Sequence, residues 1–304
     1  MNEPHTSARF WKCALQVNPA GYISCRGISH GMTEEEYNRK LLEIAIENRI
    51  KIIGLADHGN VDGVDAIRCL MNEHDIIVFP GFEIATTEKA HFVCLFAENT
   101  DKSQLNRYLG ALGLTDSQNG IWPSNLGGND LLAKVEELGG FVYAAHATNE
   151  SGILRQKLVH VWQNPLLKAV QIPATPEDLK NPAEDAYRQI LLNKNHDYKR
   201  EMPVGIINAE DVAVPEELAR QRASCLIKMT APCFASFKLA FQDPESRVRL
   251  NSDVLENHYS RIESLKITGG YLDGVHINFS GHLNAVIGGR GTGKSTLLEC
   301  IRYV

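Results

Sequence analysis

Two groups of residues in this sequence are of types that do chemistry. The first is contiguous: Gly288-Gly289-Arg290-Gly291-Thr292-Gly293-Lys294-Ser295, which satisfies the spacing GxxxxGK[ST]. Its glycines let backbone N–H groups turn inward around a phosphate. The helix expected to follow, STLLECIRYV, presents its positive N-terminus to the same group. Lys294 has the reach for β- and γ-phosphates, and Ser295, followed by Thr296, supplies a hydroxyl for Mg²⁺. Residues 288–296 are therefore expected to bind a nucleotide with Mg²⁺.

The second group is dispersed. ADHGNVDG carries Asp57 and His58, FPGFEIAT carries Glu83, His91 opens HFVCLF, and His146 closes YAAHA. Each lies beside an apolar run, where imidazoles and carboxylates would converge on the C-terminal rim of a parallel barrel. One such histidine is more often a hydrogen-bonded structural residue. Several on successive strands point to a metal-site ancestry, with Zn²⁺ or Mn²⁺ suited to the donors.

The elements that must position these groups follow from hydrophobic patterning. WKCALQV (11–17), IKIIGLA (50–56), IIVFP (76–80), HFVCLF (91–96), GFVYAA (140–145), LKAVQI (167–172), PVGII (203–207) and CLIKM (225–229) are nearly continuous apolar runs, as strands buried on both faces should be. Amphipathic helices alternate with them. Residues 34–49 place Tyr37, Leu41, Ile44 and Ala45 on one face behind an N-cap at Thr33, and NDLLAKVEELGG opens on a capping Asn129. The alternation predicts an α/β domain with a parallel sheet, open or closed into a barrel. Residues 243–260 are polar and read as a linker. Beyond them RIESLKITGG, GVHINFS and LNAVIGG read as three short strands, the first two pairing antiparallel.

The order ADH, PGxEI, HxxxLF and a strand-end AH resembles the PHP (polymerase and histidinol phosphatase) phosphoesterase domain, a distorted (β/α)₇ barrel. The GGRGTGKST loop behind it resembles the N-terminal lobe of SMC/RecF-like ABC-type ATPases. The combination is most similar to the PHP–ATPase proteins of the TrlF family. The resemblance implies residues 1–242 as the barrel, 261–304 as the start of the ATPase lobe and ATP as the nucleotide. Signature and Walker B motifs do not occur downstream of Ser295, so the chain is expected to be part of a longer protein and not to turn nucleotide over by itself.

Departures from the PHP pattern decide the chemistry. The first motif normally offers two histidines one residue apart, and here Gln16 and Asn18 stand there. The last normally ends Asp-x-His, and here Ala209 and Asp211 stand there. His58, Glu83, His91 and His146 match the ligand set, and Asp211 could still coordinate. Neutral amides are poor ligands for Zn²⁺ or Mn²⁺. The expectation is a degraded site holding one metal loosely or none, with His30 as a candidate substitute ligand.

The remaining numbers bound the function. The 304 residues are 43% hydrophobic and 22% charged, with a net charge of −6, which argues against a dedicated nucleic-acid coat. Seven scattered cysteines without a CxxC pair suggest neither a disulfide scaffold nor a zinc knuckle, and a reducing cytoplasm fits. Most of those seven cysteines, which include Cys25, and Trp11, Trp122 and Trp162 read as packing residues. No run reaches the length of a membrane span. By resemblance, the complete protein is expected to act in DNA repair or phage defence, by ATP-gated assembly with nucleic acid or an effector protein and with its heads pairing as a homo-oligomer. Two alternatives stay open: an active metal-dependent phosphoesterase or nuclease switched by the ATPase, and a barrel serving only as a protein-interaction platform.

Overall fold

The computed structural model describes residues 8–22, 30–114, 124–179, 181–253, 260–281 and 283–303. Cys25 and Trp122 lie outside them. The chain divides into two compact units, Phe10–Val254 and Met1–Arg9 with Leu255–Val304.

The larger unit runs β1 (Arg9–Val17), α1 (Glu34–Glu47), β2 (Ile50–Leu55), β3 (Asp57–His58), α2 (Val64–Glu73), β4 (Ile77–Phe79), β5 (Gly81–Ala85), β6 (His91–Leu95), α3 (Lys102–Ala111) and α4 (Gly128–Glu137). It continues through β7 (Phe141–Ala144), α5 (Val159–Trp162), β8 (Ala169–Gln171), α6 (Pro182–Leu191), β9 (Gly205–Ile207), β10 (Cys225–Met229), α7 (Phe234–Ala240), α8 (Pro244–Arg247) and β11 (Val248–Leu250). Its strands form a five-stranded sheet, β11-β10-β1-β2-β4, and a six-stranded sheet, β3-β5-β6-β7-β8-β9. A parallel bridge from Val17 to Val212, just past β9, ties the end of β1 to the second sheet.

β1, β2 and β4 pair parallel, as do β3 with β5 and β7 with β8 and β9. β6 departs from the expected parallel order and runs antiparallel to both β5 and β7. The five residues between β5 and β6 are too few for a crossover helix, so the chain must turn straight back. Gly81 permits that pairing, because a Cβ there would sit 2.0 Å from the Cys94 carbonyl oxygen.

Two buried layers follow from the strands' two apolar faces. One face packs against the helices, as where Tyr37, Leu41 and Ala45 of α1 are fully buried. The other fills the interior with Cys13, Leu15, Ile52, Val93, Tyr143 and Ile227. α7 stops one end of this interior. Phe234 and Phe237 lie 5.1 and 5.2 Å from Phe79, and Phe141 lies 4.9 Å from Phe237 and 4.6 Å from Phe241 between ring centroids. Trp11 and Trp162 are buried, with their indole N–H groups on the carbonyls of Met229 and Tyr198.

Local chemistry explains the helix ends. Thr33 caps α1 in a reciprocal pair with Glu36. α4 starts two residues earlier than the Asn129 cap expected, with Gly127 at the N-cap, while the Asn129 side chain instead accepts from Asn164 at 2.9 Å. Part of the expected linker is also sheet: β11 pairs antiparallel with β10, because Val248 and Leu250 alternate inward behind the single turn of α8.

The smaller unit holds β12 (Ser264–Lys266), β13 (His276–Asn278) and α9 (Lys294–Tyr303), with β12 and β13 antiparallel as expected. LNAVIGG is not a strand. Among the described residues no neighbouring strand pairs with it, and Leu283 and Ile287 are 94% and 93% exposed.

Candidate functional site

Glu83 is the centre of the dispersed group. It lies within β5 rather than just past a strand, and it is 1% exposed. Oε1 accepts from His91 Nδ1 at 2.6 Å, and Oε2 accepts from the Gln16 amide at 2.7 Å. His58 Nε2 stands 3.6 Å from Oε2 and His146 Nε2 stands 3.8 Å from Oε1. Burial alone would raise this carboxyl. The His91 hydrogen bond and the neighbouring imidazoles outweigh it and hold Glu83 at about 2.

The reversed strand explains how His91 reaches this cluster. His91 opens β6 where His58 closes β3 and His146 follows β7, but β6 is antiparallel, so its first residue stands at the rim where β3 and β7 end. Ala85 pairs with His91, and the Ala145 N–H donates to the His91 carbonyl. His146 follows with φ of 29°, a conformation uncommon for a side-chain-bearing residue. The buried Gln171, at the end of β8, holds it by accepting the His146 N–H on its side-chain oxygen.

Asp211 is the second acidic centre. The backbone bonds from Asn18 N–H to Val212 and from Val212 N–H to Gln16 bring it to the end of β1. The Asn18 amide donates to Oδ1, and the Tyr22 hydroxyl to Oδ2 at 3.0 Å. Desolvation, then the Glu83 charge, raise its carboxyl. Asp57 is pushed up to about 7, foremost by desolvation and further by Asp211, against the lowering effect of the His58 N–H bond. Tyr22 also stacks on His58 at 5.1 Å. Tyr22 and Gln171 were invisible to sequence reasoning, since neither is of a type or spacing that ligates.

Of the expected residues His58, Glu83, His91, His146 and Asp211 line one cleft of about 680 Å³, together with Arg155, while Asp57 is not on its lining. His30 does not join them. Its Nε2 contacts the Ala20 carbonyl and its Nδ1 accepts the Met32 N–H. Ala209 is buried in the interior and offers no donor.

The donor set fits one divalent cation. His58, Glu83 and His91 each place a ligand atom within 4.8 Å of the others, with His146 beside them. Among the described residues no second such group of three donors comes together. Gln16 and Asn18 turn their NH₂ groups, which cannot ligate, onto Glu83 and Asp211, an orientation their carboxylate partners require. That leaves Gln16 Oε1 and Asn18 Oδ1 buried and without a partner.

In the smaller unit the contiguous group forms a tight loop. Gly291 and Gly293 have φ of 79° and 87°, which only glycine adopts at low cost. The Lys294 ammonium donates to the carbonyls of Gly288 and Gly289, Thr292 Oγ1 donates to Gly289 and the Tyr271 hydroxyl donates to Gly291. α9 starts at Lys294, so Ser295 and Thr296 lie in its exposed first turn.

The fold of the larger unit is PHP-like. A two-domain protein of Bacteroides vulgatus containing a predicted PHP-like metal-dependent phosphoesterase is similar at 13% identity and a TM-score of 0.50, over 82% of this chain and 66% of that one. A lesion-specific endonuclease of Pyrococcus furiosus is similar at 12% identity and 0.52, over 77% of this chain and 56% of that one. Endonuclease Q, solved with a 27-mer duplex carrying an abasic lesion at its active site, gives 12% and 0.52, over 77% and 57%. The chain thus spans about two thirds of the first of these proteins and a little over half of the others. A family model of the AAA domain matches residues 262–304. No curated protein matches the chain. Among the described residues, no helix is long and apolar enough to cross a membrane.

Proposed function

We propose that the barrel is a PHP-derived module reduced to a single cation site, serving as the binding part of a longer SMC/RecF-like ATPase. The observation that carries this reading is the pairing of Gln16 with Glu83 and of Asn18 with Asp211. Two neutral amides satisfy the carboxylates that further cations would need. The remaining set, His58, Glu83, His91 and His146, would hold one Zn²⁺ or Mn²⁺, whose chemistry when bound is that of a Lewis acid. Residues 288–296 would hold ATP and Mg²⁺, with ATP gating assembly on nucleic acid or an effector in DNA repair or phage defence. Heads of this type pair, so a homo-oligomer is part of the proposal.

Elemental analysis of the purified protein tests it. At most one equivalent of metal is expected, lost in Glu83→Gln and His146→Ala, with no hydrolysis of bis-p-nitrophenyl phosphate. Two or more tightly held equivalents would overturn the reading.

A second reading, a live nuclease or phosphoesterase switched by the ATPase, is favoured by the unpartnered oxygens of Gln16 and Asn18. Either could turn toward a cation as a hard donor. Cleavage of an abasic duplex with Mn²⁺ present, absent in Glu83→Gln, would establish it.

A further inference from the structure

A second cleft, of about 660 Å³, lies at the opposite end of the barrel from Glu83, where β7, β8 and β9 begin beside α7. Its apolar wall comes from Leu167, Met202 and Phe241, and its cations are Lys168, Lys199 and Arg200.

Arg200 is the unusual member. It is only 9% exposed, and its guanidinium is held by backbone carbonyls alone: Nε on Met202 at 3.2 Å, Nη1 on Asn164 at 3.2 Å and Nη2 on Leu167 at 2.8 Å. The Trp162 ring centroid lies 6.0 Å from Cζ. A guanidinium stays charged and carries five N–H donors, so with three used one remains on each Nη. Carbonyl dipoles orient this buried cation without neutralising it, and an unbalanced buried charge is costly.

The surroundings add to the imbalance. Among the described residues no carboxylate stands within ion-pairing distance of Lys168 or Lys199, both exposed. Lys238 and Glu136, also on the lining, pair with each other at 3.3 Å. That leaves three cations against Glu201, a local surplus of two positive charges in a chain whose net charge is −6. A phosphate monoester carries nearly two negative charges at neutral pH. The cleft's volume is that of a small-molecule site.

We propose that this cleft binds a phosphate monoester with an apolar body. The phosphate rests on Lys168, Lys199 and the two remaining Arg200 N–H groups, and the body lies along the exposed Pro165 and Met202. The site is independent of the Glu83 rim and of the glycine-rich loop.

Calorimetric titration of the whole chain carrying Lys294→Ala, which removes the loop as a competing phosphate site, tests this. The probes are phenyl phosphate, inorganic phosphate and a Glu/Asp-rich peptide. Phenyl phosphate is expected to bind roughly tenfold tighter than inorganic phosphate, because the ring buries apolar surface. Adding Lys168→Ala and Lys199→Ala should weaken it by roughly tenfold or more, without moving the melting temperature, since both side chains are exposed. Unchanged affinity in that variant, equal affinity for the two phosphates, or heat from the peptide alone would each overturn the proposal.

Discussion

The rim around Glu83 and the loop at 288–295 are both built to meet charge, in opposite ways. The loop is eight consecutive residues whose geometry is mostly local: two left-handed glycines and internal hydrogen bonds spanning six residues at most, with only the Tyr271 hydroxyl reaching Gly291 from twenty residues away. The rim is assembled from the ends of β1, β3, β7 and β8, the start of β6 and the middle of β5, with the Gln16–Glu83 bond spanning 67 residues and the Asn18–Asp211 bond 193. A contiguous site can be kept or lost only as a piece. A dispersed one can lose members singly, and its vacated positions can be refilled by groups that pair with those left behind.

That contrast can be broken at several points, beginning with the largest effect. Glu83→Gln removes the charge around which three imidazoles gather. Because the folded pKa of about 2 lies below the ordinary 4.5, ionised Glu83 contributes stability that is complete above pH 4.5 and lost as pH falls toward 2. In chelator-treated protein the variant should cost about 3 kcal/mol in urea unfolding at pH 7. The difference should shrink steadily in acid. An equal cost at pH 3 and pH 7 would show that shape rather than charge organises the rim.

Lys294→Ala comes next. Removing the one ammonium from the loop should weaken ATP binding by roughly a hundredfold, measured with a fluorescent ATP analogue. The metal content of the barrel should not change. Third, the double variant Gln16→His, Asn18→His places imidazoles beside Glu83 and Asp211, and should raise bound Mn²⁺ or Zn²⁺ above one equivalent in elemental analysis. No gain would mean that the amides are not what limits the proposed site to one cation.

The smallest effect concerns Asp57. Its folded pKa of about 7 lies above the ordinary 3.8, so the native state holds a proton that the unfolded chain gives up, and stability falls as pH rises from about 4 to 7. Asn mimics the protonated form and keeps Oδ1 for the His58 N–H. Asp57→Asn should therefore raise the melting temperature by a few degrees at pH 8 and change it less at pH 5.

How much of this was legible depended on the range of the forces involved. The α1 helix was readable because its cap, Thr33 with Glu36, and its buried stripe are set within four residues. LNAVIGG misled because an apolar run becomes a strand only when another strand supplies its hydrogen bonds. Val248 and Leu250 were read as linker because a three-residue strand has too little period to show in a sequence.

The sequence by itself determined the glycine-rich loop at 288–295, the α/β alternation and the donor types available at the rim: His58, Glu83, His91, His146 and Asp211. All of these depend on residue type and short-range spacing. Only the tertiary structure decided that β6 runs backwards and delivers His91 to the rim, that Gln16 and Asn18 close their amides on Glu83 and Asp211, and that Arg200 is buried without a counter-charge. Those facts depend on which distant backbones lie side by side, and on a water-poor interior in which a buried polar or charged group must find hydrogen-bond partners, carboxylates or backbone carbonyls alike.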